Sequence, residues 1–410
     1  MQPIGRYVME NHFQVEKKLS LRLGQSGFSL VEMVVVTAVF VIVIIVATEA
    51  FNRIYSRSTA LSKSEESNIE GVVALEMFRK DLVQAGFGLP WDFDGTAPTY
   101  TEATGDPAKD FNDSGTTTGI PRAFVAGNDL DGTTKGVVDK TDYLALKGSP
   151  LSLNAAAGKW THVDTTGIPK QWSEDSLNTG DRVVVMKREF TDSGYKSTLI
   201  HTGNTIFTTY KPAGLDAAFQ PQLSGDKYYL YGISSDQDPT MPFNRSDYYV
   251  KRLTTIPASC ADNTGVLYKA VVNQSNGATT PIPIMDCVAD MQVVFGWDMN
   301  DDGVVDTYSD AVFTGTPSIS GTATASDVEA VMADPVEFRK KLKLVKVYLM
   351  VQDGKKDRSY RNSQKIIVGN LGEETLTKSY SVSKLDDNNW TNYRWKIYRI
   401  VVTPKNLKAE

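Results

Sequence analysis

The chain has 410 residues, of which 22% are charged and 41% hydrophobic, so it can fold and is longer than one average domain. A net charge of -6 leaves no basic footprint, which removes nucleic acid from the expected partners. Only three histidines occur, His12, which lies in the leader, His162 and His201, and neither His162 nor His201 has Cys, His or acidic company at metal-ligand spacing. Catalysis by a Ser/His/Asp set or a His-rich metal centre is therefore not expected, and the chain reads as a non-enzyme.

The first element is an apolar run. Residues 28–51 read FSLVEMVVVTAVFVIVIIVATEAF, interrupted only by Ser29, Glu32, Thr37, Thr48 and Glu49. About 20 apolar residues are enough to span a bilayer core. Arg6, Lys17, Lys18 and Arg22 precede the run and place the N-terminus in the cytoplasm, with the rest on the far side. A secretory signal is cut after its apolar stretch. Here the small and polar residues Gly24, Gln25, Ser26 and Gly27 lie before it. A cut between Gly27 and Phe28 would discard the basic leader, keep the apolar helix and create an α-amino group on Phe28, near Glu32. An ionised carboxylate at the centre of a helix in hydrocarbon costs roughly 2.5–3.5 kcal/mol on the lenient scales. Glu32 therefore needs either a charged partner or a position at the membrane edge where it reaches headgroups or water.

The helix is expected to continue past the span, over 28–85. No Gly or Pro occurs before Gly71, and Val72, Leu75, Phe78, Leu82 and Ala85 recur at steps of three or four. Glu76, Arg79, Lys80 and Asp81 fall on other faces of that wheel. Gly86, Gly88 and Pro90 end the pattern. Such a helix would be roughly 85–90 Å long, apolar all round in its first half and amphipathic in its second.

Residues 91–140 are rich in Gly, Thr, Asp and Ala with little periodicity, which predicts a long loop or insertion. The acidic stretches near Asp92, Asp110 and Asp129 read as solvated loops. Strand-like runs follow at 142–147, 182–190, 228–233, 247–253, 266–272, 291–297, 342–352, 364–368 and 393–402. Many are β-branched or aromatic and are separated by Gly, Asp, Asn or Pro, the pattern of an antiparallel sheet. A long helix packed on such a sheet is an α+β arrangement.

The stretch DMNDDGVVD, residues 298–306, places oxygen side chains at loop positions one, three, five and nine, with Gly303 at six. In a calcium loop these supply hard oxygen ligands and the glycine permits the sharp turn. The candidates are Asp298, Asn300, Asp302, the Val304 carbonyl and Asp306. Ser309 holds the twelfth position, and Asp310 could complete the shell in another geometry. The alternative is a polar hairpin loop with an Asp-Gly turn. Cys260 and Cys287 are the only cysteines. With the segment after the span in an oxidising compartment they are expected to form a disulfide worth roughly 3–4 kcal/mol, rather than two buried thiols.

Glycine, a cut, phenylalanine, then glutamate four residues on and an apolar helix together resemble the type IV prepilin signature. In that family the equivalent carboxylate pairs with the terminal amine of a neighbouring subunit, which assigns Gly27 and Phe28 to processing and Glu32 to assembly. Major pilins often break the apolar half with glycine and proline; this chain has Val41 and Glu49 there. ALEMFRKDLVQAGFG (74–88), DYLALK with GDRVVV, VVFGWDMNDDGVVD, LVKVYLMV and YRWKIYRIVVTPKNL are similar to segments of PilW-type minor pilins of type IV pilus systems. The resemblance implies a pilin-like α+β fold with large insertions in the head. It divides the chain into a leader (1–27), a transmembrane and fibre-core half-helix (28–51), an amphipathic half-helix (52–88), a loop-rich insertion (89–140) and a β-rich head (141–410), which could form two subdomains. The implied partners are prepilin peptidase, other minor and major pilins and the inner-membrane pilus assembly machinery. The chain would sit first in the inner membrane with a periplasmic head, then at the cell surface, priming the pilus or capping its tip. A type II secretion pseudopilin would show the same N-terminal physics. A calcium-dependent tip adhesin is the alternative from another class.

Overall fold

A computed structural model describes residues 29–172, 176–191, 194–311, 315–370 and 376–407. The chain divides into two compact units, Met1–Thr59 and Ala60–Glu410. Helix α1, Leu30–Gln84, runs from the first into the second. In the first unit all described side chains from Leu30 to Tyr55 are exposed, the large apolar ones included. This is the one described helix long and apolar enough to cross a membrane.

In the second unit the helix is one-sided. Phe78, Leu82 and Ala85 are buried and Leu75 is partly buried, as the stripe predicts, whereas Val72 is 63% exposed and Ala74 is buried in its stead. Asp81 corrects the expectation more sharply, because it is buried on the inner face. Its carboxylate accepts from the Tyr248 hydroxyl at 2.8 Å and pairs with the Lys269 ammonium at 2.5 Å. Partners so far along the chain cannot be seen on a helical wheel. Beside it the Phe78 and Tyr248 rings stack at 3.9 Å. The helix stops where Gly86 and Gly88 take the left-handed conformation, at φ 85° and 65°. A Cβ at Gly88 would also stand 2.7 Å from the Tyr231 ring.

Two larger sheets and a two-stranded pair make up the rest. The nine-stranded sheet is antiparallel throughout, which with the helix gives an α+β, pilin-like fold. Its hub is the 19-residue strand Thr279–Trp297. The first half of that strand pairs with Gly265–Val272, and the second half with Leu342–Asp353 and Thr307–Asp310. The sequence predicts only 291–297 as strand here, because Pro281 and Pro283 mask the first half. Proline is tolerated where a strand edge has no partner for its missing N–H. In the second half Met291, Val293, Phe295 and Trp297 enter the main core, while Ala289 and Val294 join a separate cluster around Trp390 and Leu385. Both faces of the sheet are therefore covered at this point.

The six-stranded sheet is built on Arg182–Thr191, flanked by Gly194–Ile200 and Tyr228–Ser234, and has its own core around Leu230 and Phe219. The segment 91–140 has little regular structure, as expected, but it is not a solvated loop. Tyr100, Ala103, Ala108 and Phe111 are buried, and Phe124–Gly127 adds a strand to the nine-stranded sheet.

Candidate functional site

Gly27 and Phe28 lie outside the described residues, so the geometry of the site begins at Ser29. The Ser29 N–H donates to Glu32 Oε2 at 3.1 Å, and the Glu32 N–H donates to Ser29 Oγ at 3.1 Å. This reciprocal pair is a capping box, which satisfies two amide donors at the helix start. Its sequence signal is the Ser-x-x-Glu spacing at 29–32. Glu32 thus has a partner within its own first turn. Further along, the Thr37 hydroxyl donates to the Met33 carbonyl at 2.9 Å and that of Thr48 to the Ile44 carbonyl at 2.8 Å. Both polar side chains return to their own backbone, as a helix facing hydrocarbon requires. Glu49 and Arg53 pair at 3.2 Å near the end of the span.

The disulfide Cys260–Cys287 is present, with Cα atoms 5.0 Å apart. It ties the approach to strand Gly265–Val272 to the middle of the hub strand. Closing its loop stabilises the head by roughly 3–4 kcal/mol in the chain-entropy model.

The loop 298–306 joins two antiparallel strands, with Trp297 opposite Thr307. Asp298 accepts from the N–H groups of Asp302 and Gly303 at 3.0 and 2.9 Å. Asp306 accepts from those of Met299 and Asn300 at 3.0 and 3.1 Å. Asn300 Oδ1 accepts from the Asp302 N–H at 3.1 Å, and the Val304 N–H donates to Asp302 Oδ1 at 2.8 Å. Lys343 stands 3.4 Å from Asp298, and Lys340 and Lys341 pair with Asp301 at 2.9 and 3.2 Å. Among the described residues no group of three His, Cys, Asp or Glu side chains is gathered to hold a metal.

Asp310 is not brought to this loop. It lies on the returning strand opposite Val294, and its carboxylate accepts from the Ser318 N–H at 3.0 Å. Burial raises its carboxyl to about 6. The two head histidines also stand apart. His201 Nδ1 is 2.8 Å from the Gly203 carbonyl, and His162 lies against Trp172 and Tyr229, where burial lowers its pKa.

The feature that sequence reading missed is ionic. Lys147 is fully buried between Glu102 and Asp113, at 2.6 and 2.7 Å. Arg122 holds Asp113 at 2.5 Å, while Arg245 reaches Glu102 at 3.1 Å and Asp247 at 2.8 Å. Three cations and three carboxylates balance in an interior with almost no solvent. Burial pushes the Asp113 carboxyl up, but Lys147 and Arg122 outweigh it and hold the group below the ordinary range. Burial likewise opposes the Arg245 charge, and Asp247 and Glu102 keep it protonated. The cluster fastens the 91–140 segment to the sheet.

The long capped helix, its apolar exterior and the antiparallel head together define a pilin-like protein. Two family models match the chain: the prokaryotic N-terminal methylation motif over residues 22–48, and Type IV Pilus-assembly protein W over 247–406. With the fold, these matches support a PilW-type, type IV pilin-like protein. The methylation motif implies processing by prepilin peptidase and assembly with type IV pilus components. Neither the curated proteins nor the solved structures include a match.

Proposed function

We propose that the chain is a minor pilin that primes a type IV pilus or sits at its tip, entering the fibre through helix α1. The observation that carries this reading is the helix itself. A capped Glu32 heads an apolar exterior, and the same helix continues into a segment gripped by the head. In this reading prepilin peptidase cuts between Gly27 and Phe28, and the Glu32 carboxylate pairs with the new amine of a neighbouring subunit. A buried charge is tolerated when paired and costs several kcal/mol when stranded. The head then faces the periplasm before assembly, which the disulfide supports. The expected action is assembly rather than catalysis.

The test separates pairing from capping. The mass of the wild-type chain should correspond to an N-terminus at Phe28, and Gly27→Ala should retain the leader. Glu32→Ala loses both roles, whereas Glu32→Gln keeps an acceptor for the Ser29 N–H and loses the charge. Pairing predicts that neither variant enters pili. Normal incorporation of Glu32→Gln would refute it.

A type II secretion role predicts lost exoprotein secretion on deletion, instead of lost pili. Calcium at 298–306 is a separate proposal, supported by the spacing of its oxygen side chains. It requires the head to melt higher with added calcium than with chelator.

A further inference from the structure

One side of the six-stranded sheet carries a row of rings. Trp160 and His162 of the edge strand Trp160–Val163, Tyr229 and Tyr231 of Tyr228–Ser234 and Arg188 of Arg182–Thr191 share this side by register and alternation. Val163, Val185 and Leu230 point the other way, into the sheet's own core. The main core covers part of the first side, taking Val184, Met186 and Tyr231. The remainder should be polar, as on the solvated face of an antiparallel sheet. It is aromatic instead. Trp160 is 39% exposed, and Trp172, 38% exposed, lies against it with ring centroids 5.6 Å apart. Tyr229 stands 6.4 Å from both Trp160 and His162. The Trp160 indole N–H, the Tyr229 hydroxyl and the His162 imidazole have no hydrogen-bond partner among the described residues. An exposed patch of this kind marks an interaction site.

The row ends at a cationic cavity. The Arg188 guanidinium lies 4.5 Å over the Tyr229 ring and donates to the Tyr231 hydroxyl at 2.9 Å. It also lines a cavity of about 230 Å³ with Trp91, Tyr195, Tyr231, Lys196 and Lys405. Lys196 pairs with Asp92, whereas Arg188 and Lys405 are exposed and have no carboxylate partner among the described residues. No acidic side chain among the described residues lines the cavity. Ring faces bordered by open donors and acceptors suit a ligand that is apolar on one face and hydroxylated at its edge, as a sugar ring is. The cavity is smaller than the roughly 300–1,000 Å³ of a drug-sized site and suits one end unit, and its two unpaired cations call for a carboxylate there. A single-stranded nucleic acid would need cations along the whole row to track its phosphates. Beside His162 the charges are mixed, Lys170 and Lys227 with Asp164.

We propose that this face binds an oligosaccharide, with sugar rings on Trp160, Trp172 and Tyr229 and an acidic end sugar in the cavity between Arg188 and Lys405. The purified full-length chain in detergent micelles would be applied to immobilised oligosaccharides ending in a uronic or sialic acid. The same oligosaccharides with that carboxyl reduced to the alcohol, and single-stranded DNA, would be run beside them. The expected result is retention on the acidic set, several-fold weaker retention on the reduced set and none on DNA. Arg188→Gln should weaken binding to the acidic set about tenfold and leave the reduced set unchanged. Trp172→Ala should weaken both sets several-fold. Tyr229→Phe, which removes only a hydroxyl, should do so to a smaller degree, and Leu223→Ala, at an exposed position elsewhere, should change neither. Retention on neither set, equal retention on both, or DNA held as well as the acidic set would overturn the proposal. So would the absence of any effect of Trp172→Ala and Tyr229→Phe in chains that melt like the wild type. The assay reads the purified chain, so its outcome does not depend on whether the chain enters pili.

Discussion

The interior of the head and the exterior of the first half of α1 break the same rule in opposite directions. Around Lys147 the molecule buries six ionisable side chains, while along Leu30–Tyr55 it exposes a continuous apolar surface. Each arrangement is costly by itself. The charges are tolerable because every one has an opposite partner at hydrogen-bond distance. The apolar surface is tolerable because lipid or neighbouring helices take the place of water. The buried cluster completes itself within one chain, and the exposed helix cannot. One region therefore serves folding and the other serves assembly.

The strongest way to break this contrast is Lys147→Met, which leaves three buried carboxylates to the two cations Arg122 and Arg245. We expect a loss of about 3–5 kcal/mol in a urea melt of the head. Adding Glu102→Gln, which leaves Arg122 with Asp113 and Arg245 with Asp247, should recover part of it, and a loss too small to measure would show that the cluster is not needed for stability. On the apolar side, Val43→Arg places a charge mid-span and should disfavour insertion by roughly 2.5–3.5 kcal/mol. The readout is a fall in the fraction that resists alkaline extraction from membranes. The smallest expected effect is at Asp310, whose carboxyl is raised to about 6 in the folded chain. The folded state then binds more protons than the unfolded one between the ordinary Asp pKa and about 6. Stability from this group is full below that window and is lost as pH rises through it. Asp310→Asn should match wild type near pH 4 and melt about 2 °C higher at neutral pH.

Much of this molecule is legible in the sequence, and the limits have physical causes. Helix α1 and its end at Gly86 follow from local periodicity and local glycines. Most strands follow from β-branched runs, and the Cys260–Cys287 disulfide follows from these being the only two cysteines in the sequence. Asp81 reads as an outward-facing residue because its partners Tyr248 and Lys269 lie far along the chain, and the pairing of Glu102 with Lys147 and Arg245 is hidden for the same reason. A polar residue in a Gly- and Thr-rich stretch looks solvated until the fold supplies its counter-ion. The Ser29 cap was different, since both halves of that signal lay within four residues.

That cap bears on the time a subunit spends alone. In the proposed assembly, a carboxylate already engaged by Ser29 would let a subunit wait in the bilayer without a companion. An amide N–H is a weaker donor than an ammonium. The arrival of a neighbour's charged terminus would offer Glu32 the better of two bonds. In the proposed assembly the helix start would work as a latch, shut by default and opened by the next subunit.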